Sequence, residues 1–225
     1  MSKVNQFTPE DHKIVTAAVS QAEKNTDGEI VTIVTGESDH YGDVAWAMSG
    51  LVALTALLII SLFPELYLHI IDWLSGGWSG IAALPYWALF AFAALKFFGT
   101  RLILIWKPLL FLLIPPPIKK ARVRKRAASL FRVSTDHKTV GRTGILLYLS
   151  MREHRAEIVA DEAIVQKVEP AVWGEAMVSL IDLVRANKPG EGMAEAVRQM
   201  GIVLSEHFPK TDQNPNELPD KLIEL

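Results

Sequence analysis

Four acidic side chains are the residues of this chain best suited to hold a divalent cation: Asp27, Asp136, Asp161 and Glu162. Ca2+ and Mg2+ need several converging oxygens, and these four supply them if the flanking strands bring their ends together. Each also has a plainer use. Asp27 forms a turn pair with Gly28, and Asp161 stands where a helix cap belongs. No D-x-D-x-D-G loop occurs. The histidines add no ligand set. His12, His40, His137, His154 and His207 each directly follow an acid, and sequence neighbours point apart on helices and strands. There is no H-E-x-x-H and no cysteine, so thiolate chemistry and a disulfide framework are both excluded. No cofactor is required by these residues; Ca2+ or Mg2+ is what they would admit.

The elements that must position these groups are readable. Thr8-Pro9-Glu10-Asp11 is a helix start, with a Thr cap, Pro at the first helical position and acids near the positive dipole end. Ile14, Ala17, Ala18 and Ala22 follow at helical spacing, and the helix is expected to end near Lys24-Asn25. Glu29–Thr35 is short, β-branched and apolar, the mark of a buried strand; Gly144–Met151 is a second, and His154–Ala160 alternates as its half-buried partner. Asp161 then caps a short helix, Glu162–Val168. Trp173, Met177, Leu180, Ile181 and Val184 mark another, and Met193, Val197, Met200 and Leu204 a third. If the strands at 29–35 and 144–151 run parallel, one sheet edge gathers Glu37, Asp39, His40 and Asp43 near Glu153 and His154. The opposite edge gathers Asp27 and Glu29 near Asp136, Arg142, Asp161 and Glu162.

Between these soluble parts the composition changes. Val44–Phe63 is a run of 20 residues without a charge, which as a helix spans roughly 30 Å, the hydrocarbon thickness of a bilayer. A second apolar run covers 80–98, uncharged until Lys96. The loop between them, 64–79, carries Glu65 and Asp72, no Lys or Arg, and Tyr67, Trp73 and Trp78 as interfacial anchors. After it come Lys96, Arg101, Lys107, Lys119, Lys120, Arg122, Arg124, Lys125 and Arg126 with no acid among them, a positive-inside signal. Two spans in the plasma (inner) membrane, with both termini cytoplasmic, are therefore expected. Leu102–Ile114 is apolar but short and broken at Lys107-Pro108, and is read as interfacial or as an extension of the second span. Ala121–Phe131 is read as a helix that leaves the membrane surface basic and becomes apolar at Ala127, Leu130 and Phe131. Lys119, Lys120, Arg122, Arg124, Lys125 and Arg126 orient the chain and are candidates to bind anionic lipid headgroups. The net charge of −2 carries no signal for nucleic acid, and no such partner is expected. No ionisable residue lies at mid-depth in either run, which argues against an ion or proton pathway. Ala45, Ser49, Gly50 and Ala53 form a small-residue face suited to pack on Ala88, Ala91 and Ala94.

Residues 1–43 and 127–208 together read as one discontinuous α/β domain on the cytosolic side. Each part alone is too small to bury much surface. The segments between are span 44–63, outside loop 64–79, span 80–98 and a basic juxtamembrane segment 99–126. The remainder, 209–225, with Pro215 and Pro219, is a polar tail read as extended or partly disordered.

The residues FTPEDHKIVTAAVSQAEKNTDGEIVTIV resemble the opening helix and first strand of the TPM domain family. RTGILLYLSMREHRAEIVAD resembles its central hairpin, and the Gly-Met-Ala-Glu-Ala-Val helix its closing helix. The membrane insertion after the first strand is similar to a membrane-bound bacterial branch of that family. The resemblance implies a three-layer α/β/α sandwich around a small mixed sheet, here interrupted by a two-helix transmembrane hairpin. It also implies one of several roles: acid phosphatase, calcium binding, assembly or repair of membrane protein complexes, or modulation of a membrane receptor. For a phosphatase the chain lacks a P-loop, a Cys-x5-Arg and an Asp pair, leaving Asp161 with Arg142 as the combination to nominate. The glycine-rich loop found after the hairpin in many members reads Ala160-Asp161-Glu162 here. The expected function is thus a membrane-anchored binding or assembly module with a membrane protein partner, and the alternative a metal-dependent phosphatase or calcium-binding domain.

Overall fold

A computed structural model describes residues 7–74, 86–135, 143–211 and 218–225. Along the chain these form α1 (Pro9–Ala22), β1 (Glu29–Thr35), α2 (Gly42–Leu62), α3 (Pro64–Leu74), α4 (Tyr86–Ile103), α5 (Lys107–Leu113), α6 (Pro116–Thr135), β2 (Gly144–Ser150), β3 (Arg155–Ala160), α7 (Glu162–Lys167), α8 (Gly174–Arg185), α9 (Pro189–His207) and β4 (Ile223–Glu224). They fall into two compact units, 1–39 with 115–225, and 40–114. The first is a mixed α/β unit around one four-stranded mixed sheet.

The sheet order is β3-β2-β1-β4. β1 runs parallel to β2 in unbroken register from Glu29↔Gly144 to Thr35↔Ser150. A short turn makes β3 antiparallel to β2, from Ile145↔Ala160 to Ser150↔Arg155. All residues of β1 and β2 are buried, the pattern of strands covered on both faces. Alternation divides their side chains between two clusters. Ile30, Val34, Ile145, Leu147 and Leu149 pack with Val15 and Val19 of α1, Ile164 of α7, Leu180 of α8, and Met193, Val197, Met200 and Leu204 of α9. Val31, Ile33, Leu146 and Tyr148 pack with Val123 and Ala127 of α6.

Local chemistry sets the helix limits. At α1 the Thr8 side chain accepts from the Asp11 N–H (3.1 Å) while the Asp11 carboxylate accepts from the Thr8 N–H (2.8 Å), a reciprocal box that satisfies two otherwise orphan donors. Pro189 opens α9, where its missing N–H costs nothing. α1 and α9 approach closely at Gly201: a Cβ there would stand 2.6 Å from the Ala22 Cβ and 3.2 Å from its Cα. In an open helix Gly→Ala gains about 1 kcal/mol. Here the added methyl forces two backbones apart, and overpacking of that kind costs roughly 1–3 kcal/mol. Gly201→Ala is therefore expected to lower the melting temperature, and a rise on thermal denaturation would refute the contact.

Three elements differ from the sequence reading. The tail contributes β4, parallel to β1 through Ile33↔Ile223 and Val34↔Glu224, with Leu218 and Leu222 buried. Segment 64–79 is helical over Pro64–Leu74, where Pro64 and Glu65 supply a helix start. The helix expected over Ala121–Phe131 is longer at both ends, running unbroken in α6 from Pro116 to Thr135, with Val123, Ala127 and Leu130 keeping one apolar face on the sheet.

In the second unit α2 packs along α4. Ala45, Ser49 and Ala53 are buried on α2, as expected of a small-residue face, while Ala91 of the anticipated partner set is exposed. Leu51, Leu54, Leu58 and Leu62 are all more than half exposed. Trp46 lies 5.6 Å from Phe97, ring to ring, and carries the Arg101 guanidinium 4.9 Å above it. By length and composition α2 is able to cross a bilayer. Residues 87–103 and 107–113 meet the same criterion only as a pair, bent by 105°. Residues 80–85 of the expected second span lie outside the described residues.

Candidate functional site

The C-terminal ends of β1 and β2 build a polar cluster. In parallel sheets this end is where ligands and functional loops gather. Met151 N–H donates to the Thr35 carbonyl and Arg152 N–H to the Gly36 carbonyl, both at 3.0 Å, so the chain leaving β1 runs beside the β2–β3 turn. Glu153 in that turn is buried at 5 % exposure. Its Oε1 accepts from the Ser38 N–H at 2.8 Å and its Oε2 from the Ser150 hydroxyl. The Ser38 hydroxyl and the Tyr148 hydroxyl are 2.9 Å apart. Burial pushes the Tyr148 phenol above its ordinary value and the Glu153 charge adds to this; the Ser38 hydrogen bond and Arg126 pull the other way. Around this centre Arg152 pairs with Glu37 (3.2 Å) and Arg122 with Asp39 (2.7 Å). The expected approach of the chain after β1 to the hairpin turn is seen for Glu37, through Arg152, and for Ser38, through Glu153, while Asp39 pairs with Arg122 of α6. His40 and Asp43 belong to the other unit. Glu153 is an acceptor occupied by two donors, so its action is to fasten residues 36–39 to the hairpin.

The opposite end carries the proposed cation ligands. Thr143 Oγ1 donates to the Asp27 carbonyl at 2.8 Å. The Asp27 carboxylate accepts from Thr211 twice, from its N–H at 2.9 Å and its hydroxyl at 2.6 Å. Slight burial raises the Asp27 carboxyl, but those two bonds outweigh it and hold the group below the usual range. Asp161 does not cap α7 with its side chain. Its carboxylate accepts instead from the Gly144 N–H at 2.9 Å, while its own N–H donates to the Gly144 carbonyl at 2.9 Å. This double tie fixes the exit of β3 to the start of β2. Glu162 accepts from Gln166 one turn along its own helix. Asp136 and Arg142 lie outside the described residues. Among the described residues no three His, Cys, Asp or Glu side chains are grouped to hold a metal ion.

A third group went unread in the sequence. Glu23 follows α1 and is only 8 % exposed. Its Oε1 accepts from the Ile30 N–H at 2.8 Å, and its Oε2 is buried with no hydrogen-bond partner among the described residues. Burial, reinforced by the charges of Glu29 and Asp220, pushes its pKa up to about 8, against the lowering effects of the Ile30 N–H and Lys210. The signal was available. Val15, Val19 and residue 23 repeat every fourth position, so Glu23 continues the buried stripe of α1.

The basic residues divide by face. On α6, Val123 and Ala127 are buried, whereas Lys120, Arg124, Lys125 and Arg126 are exposed and Lys119 and Arg122 intermediate. Arg122 is engaged with Asp39, which leaves the other five as the outward cationic face. On β3, burial raises the Glu157 carboxyl, opposed by Arg124, Lys120 and Arg155.

No protein-family model matches the sequence, and no curated protein matches it. Among solved structures the chain is similar to the NMR structure of the BA42 protein from the psychrophilic bacterium Bizionia argentinensis. The identity is 16 %, the TM-score 0.56, and all of both chains is covered. At that identity the likeness concerns the fold alone.

Proposed function

We propose that this protein is a membrane-anchored module of the TPM type, a three-layer α/β/α sandwich on the cytosolic side of the inner membrane that binds or assembles membrane protein complexes. The observation that carries this reading is the pairing of β1 with β2 across the apolar segment. An even number of crossings between residues 43 and 115 would return the chain to the side where its partner strand forms. The outward leucines of α2 support a lipid-facing helix, since a helix apolar on every side needs an apolar surrounding. In this reading α4 with α5 supplies the return, and Lys119, Lys120, Arg124, Lys125 and Arg126 meet anionic headgroups, each worth about 1 kcal/mol near the surface.

Reporters fused after residue 2 and after residue 225 test the topology: both are expected inside, and opposite sides would remove both the hairpin and the split domain. Full-length protein isolated in mild detergent is expected to retain an identified membrane protein partner. Turnover of a generic phosphoester that disappears in Asp161→Ala would instead establish the phosphatase alternative.

A further inference from the structure

The cationic face of α6 does not stand alone, because the edge strand it packs against carries charge of its own. In the β2–β3 register Arg155 lies opposite Ser150, Glu157 opposite Tyr148 and Val159 opposite Leu146. Cross-strand partners share a face, and Leu146, Tyr148 and Val159 pack with Val123 and Ala127 of α6. Arg155 and Glu157 therefore stand on the helix-covered side of the sheet. α6 also packs along β3 itself. On the helix, Lys120 and Arg124 are exposed, four residues apart and so on one side, next to the buried Val123.

Together they form a groove, with Lys120 and Arg124 supplied by α6 and Arg155 and the half-buried Glu157 by β3. All three cations act on Glu157, opposing the rise that burial gives its carboxyl. None of them closes onto it. Among the described residues, Lys120, Arg124 and Arg155 form no ion pair with Glu157 or with any other carboxylate. Their neighbour Arg122 shows the contrast, since it closes on Asp39 at 2.7 Å. Three cations facing one carboxylate leave two positive charges over.

We propose that the groove between α6 and β3 binds a phosphate monoester, held by Arg124 and Arg155 with Lys120 as the third cation. A monoester carries close to two negative charges at neutral pH, which matches the excess; a diester carries one. Guanidinium groups present paired donors to two phosphate oxygens, so two arginines from different elements select a terminal phosphate by shape as well as charge. This rests on reading α6 as a headgroup-facing helix and narrows the headgroup to one that ends in a free phosphate. A soluble phosphate ester offers the same chemistry, and the experiment separates the two sources.

The test uses the full-length protein in mild nonionic detergent with lipid added to the micelles. Phosphatidic acid is the monoester; phosphatidylglycerol is the diester, at about twice the mole fraction so that charge is matched. Phosphatidic acid is expected to bind at least about tenfold tighter, the scale of one hydrogen-bonded charge contact. Arg155→Ala and Arg124→Ala, checked for folding by circular dichroism, are each expected to remove most of that preference. Arg155→Lys is expected to remove much of it too, because the charge stays and the paired donors go. Lys125→Ala is expected to weaken both lipids alike, by about fivefold, and to leave the preference intact. Glu157→Gln is expected to tighten phosphatidic acid binding. If millimolar glycerol 3-phosphate displaces the lipid, the groove takes soluble phosphate esters as well; if it does not, the groove is a headgroup site, and either result supports it. Equal affinity for the two lipids at matched charge, a preference that survives Arg155→Ala, or weaker phosphatidic acid binding in Glu157→Gln would each overturn the proposal. Reporters on opposite sides of the membrane would remove the topology alone, because micelles have no sidedness.

Discussion

Glu23→Gln is expected to stabilise the protein, and by more as the pH rises from about 5 to about 8. The carboxyl of Glu23 ordinarily titrates near 4.5 and is raised to about 8 in the fold. Across that window the native chain holds a proton that the unfolded chain has lost, so the native state binds more protons and its stability falls with increasing pH. The loss is complete above the raised value and amounts to something on the order of 4 kcal/mol. Glutamine retains an acceptor for the Ile30 N–H and removes the titration. Thermal or urea denaturation at pH 5, 6.5 and 8 should give a wild-type stability that declines and a variant that declines far less. Parallel profiles would mean that Glu23 ionises normally. The comparison stays above pH 5 because Asp27 acts in the opposite sense. Its lowered carboxyl contributes stability above its unfolded value that is lost on acidification.

The second large effect is expected at Glu153. Truncation to alanine leaves the Ser38 N–H and the Ser150 hydroxyl without their acceptor in a buried place. Hydrogen bonds to a charged group and the desolvation of orphaned donors put the cost at about 3 kcal/mol. Glu153→Gln keeps one acceptor, and the Ser150 hydroxyl can turn to accept from the new amide, so its cost is expected to be less than half as large. Hydrogen exchange separates the two consequences. In Glu153→Ala the amides of residues 36–39 should lose protection beyond the global change, since Glu153 binds the Ser38 amide itself. Uniform loss across the sheet would assign Glu153 to general stability instead of to fastening that loop.

The three long strands were legible because each is a short β-branched or aliphatic run between turn residues. Glu29–Thr35 agrees residue for residue, and β2 and β3 differ by one residue at an end. Thr8-Pro9-Glu10-Asp11 announced α1 because capping is local chemistry, fulfilled within four residues. β4 was hidden for the converse reason. Leu218, Leu222 and Ile223 follow no strand or helix period, and their burial arises from grooves formed by remote parts of the chain. The surroundings of the acidic candidates were hidden in the same way. Asp161 and Asp27 do reach the same end of the sheet, but backbone donors from β2 and Thr211 approach them first. Composition could identify carboxylates at that edge; the donors that occupy them depend on the register of β2 and on where α9 releases the chain. Glu23 shows a different difficulty, because a charged residue at a helix end is ordinarily solvated, and only its place on the Val15–Val19 stripe argued otherwise.

The parallel pairing of β1 with β2 has a consequence during synthesis. β1 is complete once Thr35 has been made, but its neighbour begins at Gly144. At 5–20 residues per second the ribosome takes on the order of 5–20 s to make the intervening hundred or so residues. β4, on the other side of β1, is made later still. For that interval EIVTIVT is an apolar strand with both edges open, the kind of segment most prone to pair with the wrong chain. A nascent chain stalled before residue 144 should accordingly be bound by chaperones through its first forty residues, and release should coincide with the emergence of GILLYLS. In this protein the order in which the parts are made, and not only their final packing, decides when the first strand becomes safe.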